Sequence, residues 1–482
     1  MRPLEGMDAA FVALESPTSH LHVAAVLVLD PPEGTRSLYS PSTRFAQIRR
    51  VVAERVHLVP PLRQRLVTMP LGLDHPAWVD DPDFDLEDHV RRLGAPEPGD
   101  EAALEQAVGE IMSRPLPLDR PPWELVVVEG LQGERTAVVA RLHHAIVDGV
   151  SGAALLAAFL DDGPRSRPVP APDPWDPPPL PAFGELVRQT VTRFPRQARA
   201  LSQLLQRGVE AVADVGIHNR ELAAEGVDPP PPPFRAPRTS LNGTISSRRR
   251  YATAAVPLPQ LRLVGHTFGA TVNDVLLAGV AGALHRHLES RHEPTDEALV
   301  ALVPVSTRPR TRIPGVEPLG NQVSAMLVSL ATDKDDAVAR LQAIAASARA
   351  AKTQEALLGG DLFREAAQVA VPAVAGRAAR WAAGLSLFDR VRPMFNVTVS
   401  NVPGPPTALW CAGARAVALY PVGPVAEGAG LNVTALTYDD TVHLGLLTCR
   451  RLLPKPGTLA RHLAGALEEL VRRAQSAHVM AV

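Results

Sequence analysis

Residues 136–152 read Thr-Ala-Val-Val-Ala-Arg-Leu-His-His-Ala-Ile-Val-Asp-Gly-Val-Ser-Gly, an apolar run that ends in two adjacent histidines and continues into Asp148-Gly149 and a helix start. A neutral imidazole, with an unperturbed pKa of ~6.5, is a suitable general base for an alcohol or amine at neutral pH. Asp148 has two readings: a third member of a triad, or a residue that fixes the loop through a salt bridge or backbone bond. Gly149 permits a backbone angle or a close approach that a Cβ would block. No cysteine lies in this stretch, and Ser151 is not in a nucleophile-elbow setting. The residues therefore argue for a base that activates a hydroxyl or amine for direct attack rather than for a covalent enzyme intermediate. A plainer reading competes with this one: a buried strand end with hydrogen-bonded histidines and a helix-capping Asp.

Strand geometry constrains the pair. Side chains alternate, so Val138, Ala140, Leu142 and His144 share one face of a strand over 136–144, and Arg141 and His143 share the other. Adjacent histidines on one strand cannot both address one reacting atom, so one should be catalytic and the other structural.

The elements that must carry this loop alternate between strand and helix. Before it, 22–30 and 124–130 read as strands and 43–56 and 101–114 as helices, and 151–160 reads as a short helix after it. Further on, strands are expected at 251–258, 298–306, 322–330 and 395–402, with a hairpin of 431–438 and 441–449 around Asp439-Asp440. Helices are expected at 271–288, 336–353 and 457–475. Prolines, 48 in all, divide the chain: 163–181 cannot be regular helix or central strand, and Pro229 to Pro233 should be extended. The helical stretch 183–225 between them makes 163–237 a stiff connector between residues 1–162 and 238–482. The expected fold is α/β (α+β), two halves with mixed sheets flanked by helices.

Composition excludes several classes. The chain of 482 residues is 46% apolar with a net charge of −2, and no basic face argues for nucleic acid. Cys411 and Cys449 are too few and too far apart for a disulfide framework or a metal-ligand set. No uninterrupted apolar run of about 18 residues occurs, and the N-terminus lacks a signal-peptide core, so a cytosolic protein is the expectation. The segment 366–388 is apolar but interrupted by Pro372, Arg377 and Arg380, which suits a helix on a lipid surface or a buried, channel-lining one.

With these residues in hand, the chain resembles the bacterial wax ester synthase/diacylglycerol acyltransferases. His143-His144-Ala-Ile-Val-Asp148-Gly149 alone is shared with a wider superfamily of chloramphenicol acetyltransferase-like enzymes and condensation domains. Narrower signatures occur in order: Pro3-Leu-Glu-Gly-Met-Asp8, Leu14-Glu-Ser-Pro17 with His22-Val23, Pro60 to Leu66, Asp83 to Arg91, and Pro115 to Glu124. In the second half follow Leu241-Asn-Gly243, Arg248-Arg-Arg250, Thr271-Val-Asn-Asp274, Pro304-Val-Ser306 and Ser400-Asn-Val-Pro-Gly-Pro405. The resemblance implies two chloramphenicol-acetyltransferase-like domains with an active-site channel at their interface. It implies acyl-CoA as co-substrate, with no other cofactor and no metal, and a hydroxyl-bearing lipid such as diacylglycerol or a long-chain alcohol as acceptor. By position, His144 would be the general base, His143 supporting, and Asp148 the residue that shapes the loop.

Other residues carry a functional and a structural reading side by side. Asn273 would donate to a developing oxyanion, as the resemblance implies, while Thr271 and Asp274 have capping-box spacing at a helix start. Arg248 and its two neighbours suit CoA phosphates or a solvated face. Ser400 and Asn401 precede a Pro-Gly turn and could touch ligand. Trp123 fits packing at a strand entry. Two other functions stay in view: a free-standing condensation-type enzyme acting on carrier-bound acyl groups, and a non-catalytic neutral-lipid-binding protein in contact with a membrane or lipid droplet.

Overall fold

A computed structural model describes residues 1–4, 6–31, 41–146, 152, 155, 158–226, 228–306, 323–358 and 387–481. Two six-stranded sheets organise it. The first runs in the order Trp410–Cys411, Ala414–Val422, His22–Leu29, Thr136–His143, Trp123–Glu129, Val90–Gly94. All its pairs are antiparallel except that of Val90–Gly94 with Trp123–Glu129. The second runs Val323–Ser329, Val300–Ser306, Val397–Val402, Leu431–Tyr438, Thr441–Cys449, Arg249–Pro257. Its two inner pairs beside Val397–Val402 are parallel.

The central strands are Val/Leu/Ala-rich because both faces are covered. In the first sheet Val26, Val28, Val126, Val128 and Val139 pack against Leu104, Val108 and Ile111 of the helix Glu101–Met112. Asp100 starts that helix, its side chain accepting the Ala103 amide at 2.9 Å. In the second sheet the helix Val272–Ser290 is buried nearly all round, packed by Ala337–Leu358 and Pro456–Ala481. Its Leu277 and Leu284 are fully enclosed, each worth ~1.5–3 kcal/mol of burial.

The halves are sewn together. Ala414–Val422, from the second half of the chain, crosses to pair with His22–Leu29 of the first sheet. Tyr251, Leu447 and Cys449 of the second sheet enter the same apolar cluster as Val26 and Val139. At the crossing Tyr251 Oη donates to Pro421 O at 3.0 Å, and a Cβ on Gly445 would stand 1.9 Å from that carbonyl. Only glycine lets the two backbones approach so closely.

The strands and helices expected from sequence are present within a residue or two at most ends, and the hairpin Leu431–Tyr438/Thr441–Cys449 has the expected bounds. The connector helix runs from Phe183 to Ala224 without a break. The helix Ala337–Leu358 extends five residues past its expected end. Gln64–Val67, Ala77–Asp80, Val90–Gly94, the crossing strand Ala414–Val422 and the helix Leu258–Phe268 were not anticipated. The segment 366–388 falls almost wholly outside the described residues, as do most of 151–160. Among the described residues no single helix is long and apolar enough to cross a membrane.

Candidate active site

The strand Thr136–His143 lies between His22–Leu29 and Trp123–Glu129, so both its edges are hydrogen-bonded. Its register sets His22 directly opposite His143. The ladder stops one residue short of the expected end. The Ile146 amide turns back to His143 O at 3.0 Å, while the His144 amide donates to Leu21 O at 2.9 Å. His144 therefore sits in a turn, held by its backbone and released from strand alternation.

The two imidazoles occupy different surroundings. His143 is fully buried. Its Nδ1 lies 3.1 Å from the Ala145 amide, a bond it can accept when the ring proton is on Nε2. That Nε2 faces Glu15 Oε2 at 3.4 Å. His144 is half-buried and stacks on Phe11 of the helix Gly6–Leu14, with ring centroids 4.1 Å apart.

Glu15 leads into a buried histidine cluster. Its Oε1 lies 3.3 Å from His22 Nε2, and the Leu116 amide also reaches that nitrogen at 3.3 Å. One ring nitrogen cannot donate and accept at once. The Leu116 amide and Glu15 Oε1 thus compete for this nitrogen, and His22 Nδ1 is buried with no hydrogen-bond partner among the described residues. His20 stacks on His22 at 5.5 Å and bonds Pro17 O through Nε2 at 3.0 Å. Burial pushes the Glu15 carboxyl up, but the His143 and His22 imidazoles outweigh it and bring it down to about 2. Burial holds His22 down at about 3, so its ring is neutral.

Beneath the loop Arg141 is buried and ties three elements. It donates to Ile111 O at 2.8 Å, to Arg114 O, and to Glu124 Oε2 at 2.6 Å, and Arg91 takes the other oxygen of Glu124. Burial raises the Glu124 carboxyl, yet Arg141 and Arg91 leave it below its ordinary value. Trp123 is buried, donates through Nε1 to Leu62 O at 2.7 Å, and stacks on His89 at 4.5 Å. On the opposite face of the strand is an apolar cavity of about 60 Å³ lined by Ile48, Val52, Leu62, Trp123, Val138 and Leu142. Ligand pockets typically measure ~300–1,000 Å³, so in this form the cavity has room only for a small part of a long chain.

The remaining sequence candidates fall as follows. Asp148 and Gly149 lie outside the described residues. Thr271 and Asp274 form a capping box: Thr271 Oγ1 accepts the Asp274 amide at 3.2 Å and Asp274 Oδ2 accepts the Thr271 amide at 2.8 Å. Asn273 is half-buried in the first turn of the same helix. Arg248 is exposed, whereas Arg249 is buried, its guanidinium donating to Ser246 O and Thr18 O across the seam. Ser400 is half-buried and Asn401 exposed on Val397–Val402. The turn after them needs Gly404, whose Cβ would stand 2.0 Å from Thr437 O. Asn242 is structural, with its Nδ2 on Phe395 O and Gly428 O at 3.2 and 2.9 Å.

Glu15, His22 and Phe11 escaped the reading of residue types. The available signal was a lone carboxylate at the end of an apolar helix, seven residues before a strand that opens on histidine. Among the described residues no group of His, Cys, Asp and Glu could hold a metal. Both cysteines are buried, and burial pushes the Cys411 thiol up to about 11.

The fold is that of two-sheet acyl-transferring domains. The first condensation domain of the calcium-dependent antibiotic synthetase superposes with TM-score 0.56 at 18% identity, covering 99% of this chain and 96% of that one. The solved wax ester synthase/diacylglycerol acyltransferase from Marinobacter aquaeolei VT8 superposes with TM-score 0.69 at 28% identity, covering 98% of this chain and 100% of that one. A Mycobacterium tuberculosis protein named as a diacylglycerol O-acyltransferase is 36% identical over 488 residues, 99% of this chain and 98% of the relative. The wax ester synthase/diacylglycerol acyltransferase catalytic domain matches residues 4–276, and the WS/DGAT C-terminal domain matches 319–471. The chain belongs to the wax ester synthase/diacylglycerol acyltransferase family, and it is an acyltransferase.

Proposed function

We propose that the chain moves a long-chain acyl group from acyl-CoA to a hydroxyl of diacylglycerol or a long-chain alcohol, with His144 as general base. The carrying observation is the contrast between the two histidines. His143 is enclosed with both ring nitrogens facing protein groups, while His144 is partly accessible in the turn beside it. The His144 imidazole takes the hydroxyl proton as the oxygen attacks the thioester carbonyl. The tetrahedral intermediate collapses with cleavage of the C–S bond. The sulfur leaves as thiolate and takes the proton from the imidazolium, so free CoA and an ester result and His144 is neutral again. No covalent acyl-enzyme and no further cofactor enters this scheme.

Asn273 is assigned to the developing oxyanion, an assignment its place in the first turn of Val272–Ser290 supports. Arg248, exposed at the head of Arg249–Pro257, suits the CoA phosphates, and Ser400 and Asn401 suit the acceptor side. The roles of Asp148 and Gly149 rest on the sequence motif. Peripheral contact with a lipid surface is part of the reading, supported by Phe183, Val187 and Val191, exposed at four-residue spacing on the connector helix.

The test is an acceptor panel with one long-chain acyl-CoA, following release of free thiol. Folded protein that turns over no hydroxyl acceptor refutes the reading. His144→Ala should abolish turnover and His143→Ala should leave a measurable part. Equal residual rates would show that the roles of the pair are misassigned.

A further inference from the structure

We propose that Glu15 is a positioning residue that sets the tautomer of His143 and, through it, the turn that presents His144. The inference rests on the assignment of His144 as base. Glu15 Oε2 stands 3.4 Å from His143 Nε2, while the other ring nitrogen accepts the Ala145 amide at 3.1 Å. An imidazole in this setting has one workable neutral form. A proton on Nδ1 would oppose the Ala145 N–H, and an unprotonated Nε2 would face a carboxylate. With the proton on Nε2, both conflicts vanish and the Ala145 amide is held.

That amide belongs to the residue directly after His144, and the next one, Ile146, closes the turn onto His143 O at 3.0 Å. The His144 ring is therefore placed by a backbone whose anchor is the His143 side chain. Glu15 is in turn kept in place from its own side. It follows the helix that supplies Phe11 to the His144 ring, so one segment touches both histidines. Glu15 is largely covered, with its side chain 13% exposed.

The charged and titratable groups around Glu15 come from four segments. His22 and His143 face it from adjacent strands, and His20 stacks on His22 from the segment before them. Arg141 lies two residues back on the His143 strand and acts on His22, and Arg249 acts on His20 from the second half. Of these, the two ring nitrogens nearest the Glu15 carboxylate are His22 Nε2 at 3.3 Å and His143 Nε2 at 3.4 Å, and His22 Nε2 also faces the Leu116 amide.

The test compares Glu15→Ala with Glu15→Gln. The Gln amide oxygen can still accept from His143 Nε2–H, and Ala cannot. Glu15→Ala should lower kcat by ~10–100-fold, as for a partner that orients a functional histidine, with the KM for acyl-CoA within about threefold. Glu15→Gln should recover most of the rate. In parallel, protein labelled with 15N-histidine reports the His143 tautomer, its signal identified by loss in His143→Ala. The wild type and Glu15→Gln should show the Nε2–H form, and Glu15→Ala a mixture. A His143 tautomer unchanged in Glu15→Ala, or Glu15→Gln as slow as Glu15→Ala, would overturn the proposal. The tautomer reading needs no turnover, so it stands apart from the His144 assignment, which fails separately if His144→Ala remains active.

Discussion

Arg55 and Asp161 form an ion pair with both side chains about 1% exposed and Nη2 2.7 Å from Oδ1. Arg55 closes the helix Pro41–Arg55, and its Nη1 also donates to Phe159 O at 2.9 Å. Asp161 follows the segment after the histidine loop, and its backbone pairs both ways with Trp410, at 2.9 and 2.8 Å. One pair thus joins the early helix, the chain leaving the loop and a strand from the second half. Asp161→Asn keeps the shape but leaves the guanidinium buried without a counter-charge, which costs ~3–5 kcal/mol. At ~2–4 °C per kcal/mol for ~150–250 residues, an upper bound for a longer chain, the unfolding transition should fall by no more than roughly 6–20 °C. Arg55→Met with Asp161→Leu removes both charges together. Asp161 Oδ2 and Arg55 Nε have no hydrogen-bond partner among the described residues; besides the Phe159 bond, the pair's removal frees the amide of exposed Arg167, 3.1 Å from Asp161 Oδ1, which water can serve. The freed Phe159 carbonyl costs ~1–3 kcal/mol, and the apolar replacements offset much of that. The double variant should therefore be at least about 2 kcal/mol more stable than Asp161→Asn. Guanidinium unfolding followed through the buried Trp78 and Trp123 measures both. An Asp161→Asn curve that overlays the wild type, or a double variant as unstable as the single, refutes the argument.

Acid should weaken the fold from about pH 6.5 downward. Burial lowers His22 to about 3 and His443 to about 4, so their stabilisation is complete above the unfolded value of ~6.5 and is lost as pH falls toward those values. Each contributes a slope of up to ~1.4 kcal/mol per pH unit, and urea titrations of His22→Gln and His443→Gln should each lose about one proton's worth of it. Glu15 adds loss in the same direction between its ordinary value and about 2. At the seam, Gly445→Ala should cost ~1–3 kcal/mol or more and loosen Ala414–Val422, read as faster exchange of the Ala418 and Tyr420 amides, because its Cβ would meet Pro421 O. Phe183→Glu with Val191→Glu should reduce sedimentation with phosphatidylglycerol-containing vesicles while leaving the melting temperature within a degree or two, since both side chains are exposed; unchanged sedimentation would remove the connector helix as the lipid-facing element.

Legibility in the sequence followed the local signals. The hairpin Leu431–Tyr438/Thr441–Cys449 and the capped helix Val272–Ser290 carry their bounds in alternation, a turn and a cap, all within a few residues of one another. The strand Ala414–Val422 alternates less clearly, and its partner His22–Leu29 is nearly 400 residues away. Nothing near it announces that it pairs with the first sheet, because register is decided by the surface it meets. The short strands Gln64–Val67 and Ala77–Asp80 were hidden by the prolines around them, which mark turns but not what lies between.

The histidine pair shows the same division at the scale of a site. Alternation along 136–144 separates the two rings, but it treats His144 as a strand residue, and the ladder ends at His143. The rings differ because of what surrounds them: a carboxylate and a second histidine for His143, an aromatic face for His144. All of those neighbours come from residues 11–22, more than a hundred positions earlier in the chain. A motif can state that an imidazole base is present. Which of two adjacent imidazoles it is depends on a proton, and that proton is placed by groups the motif does not contain.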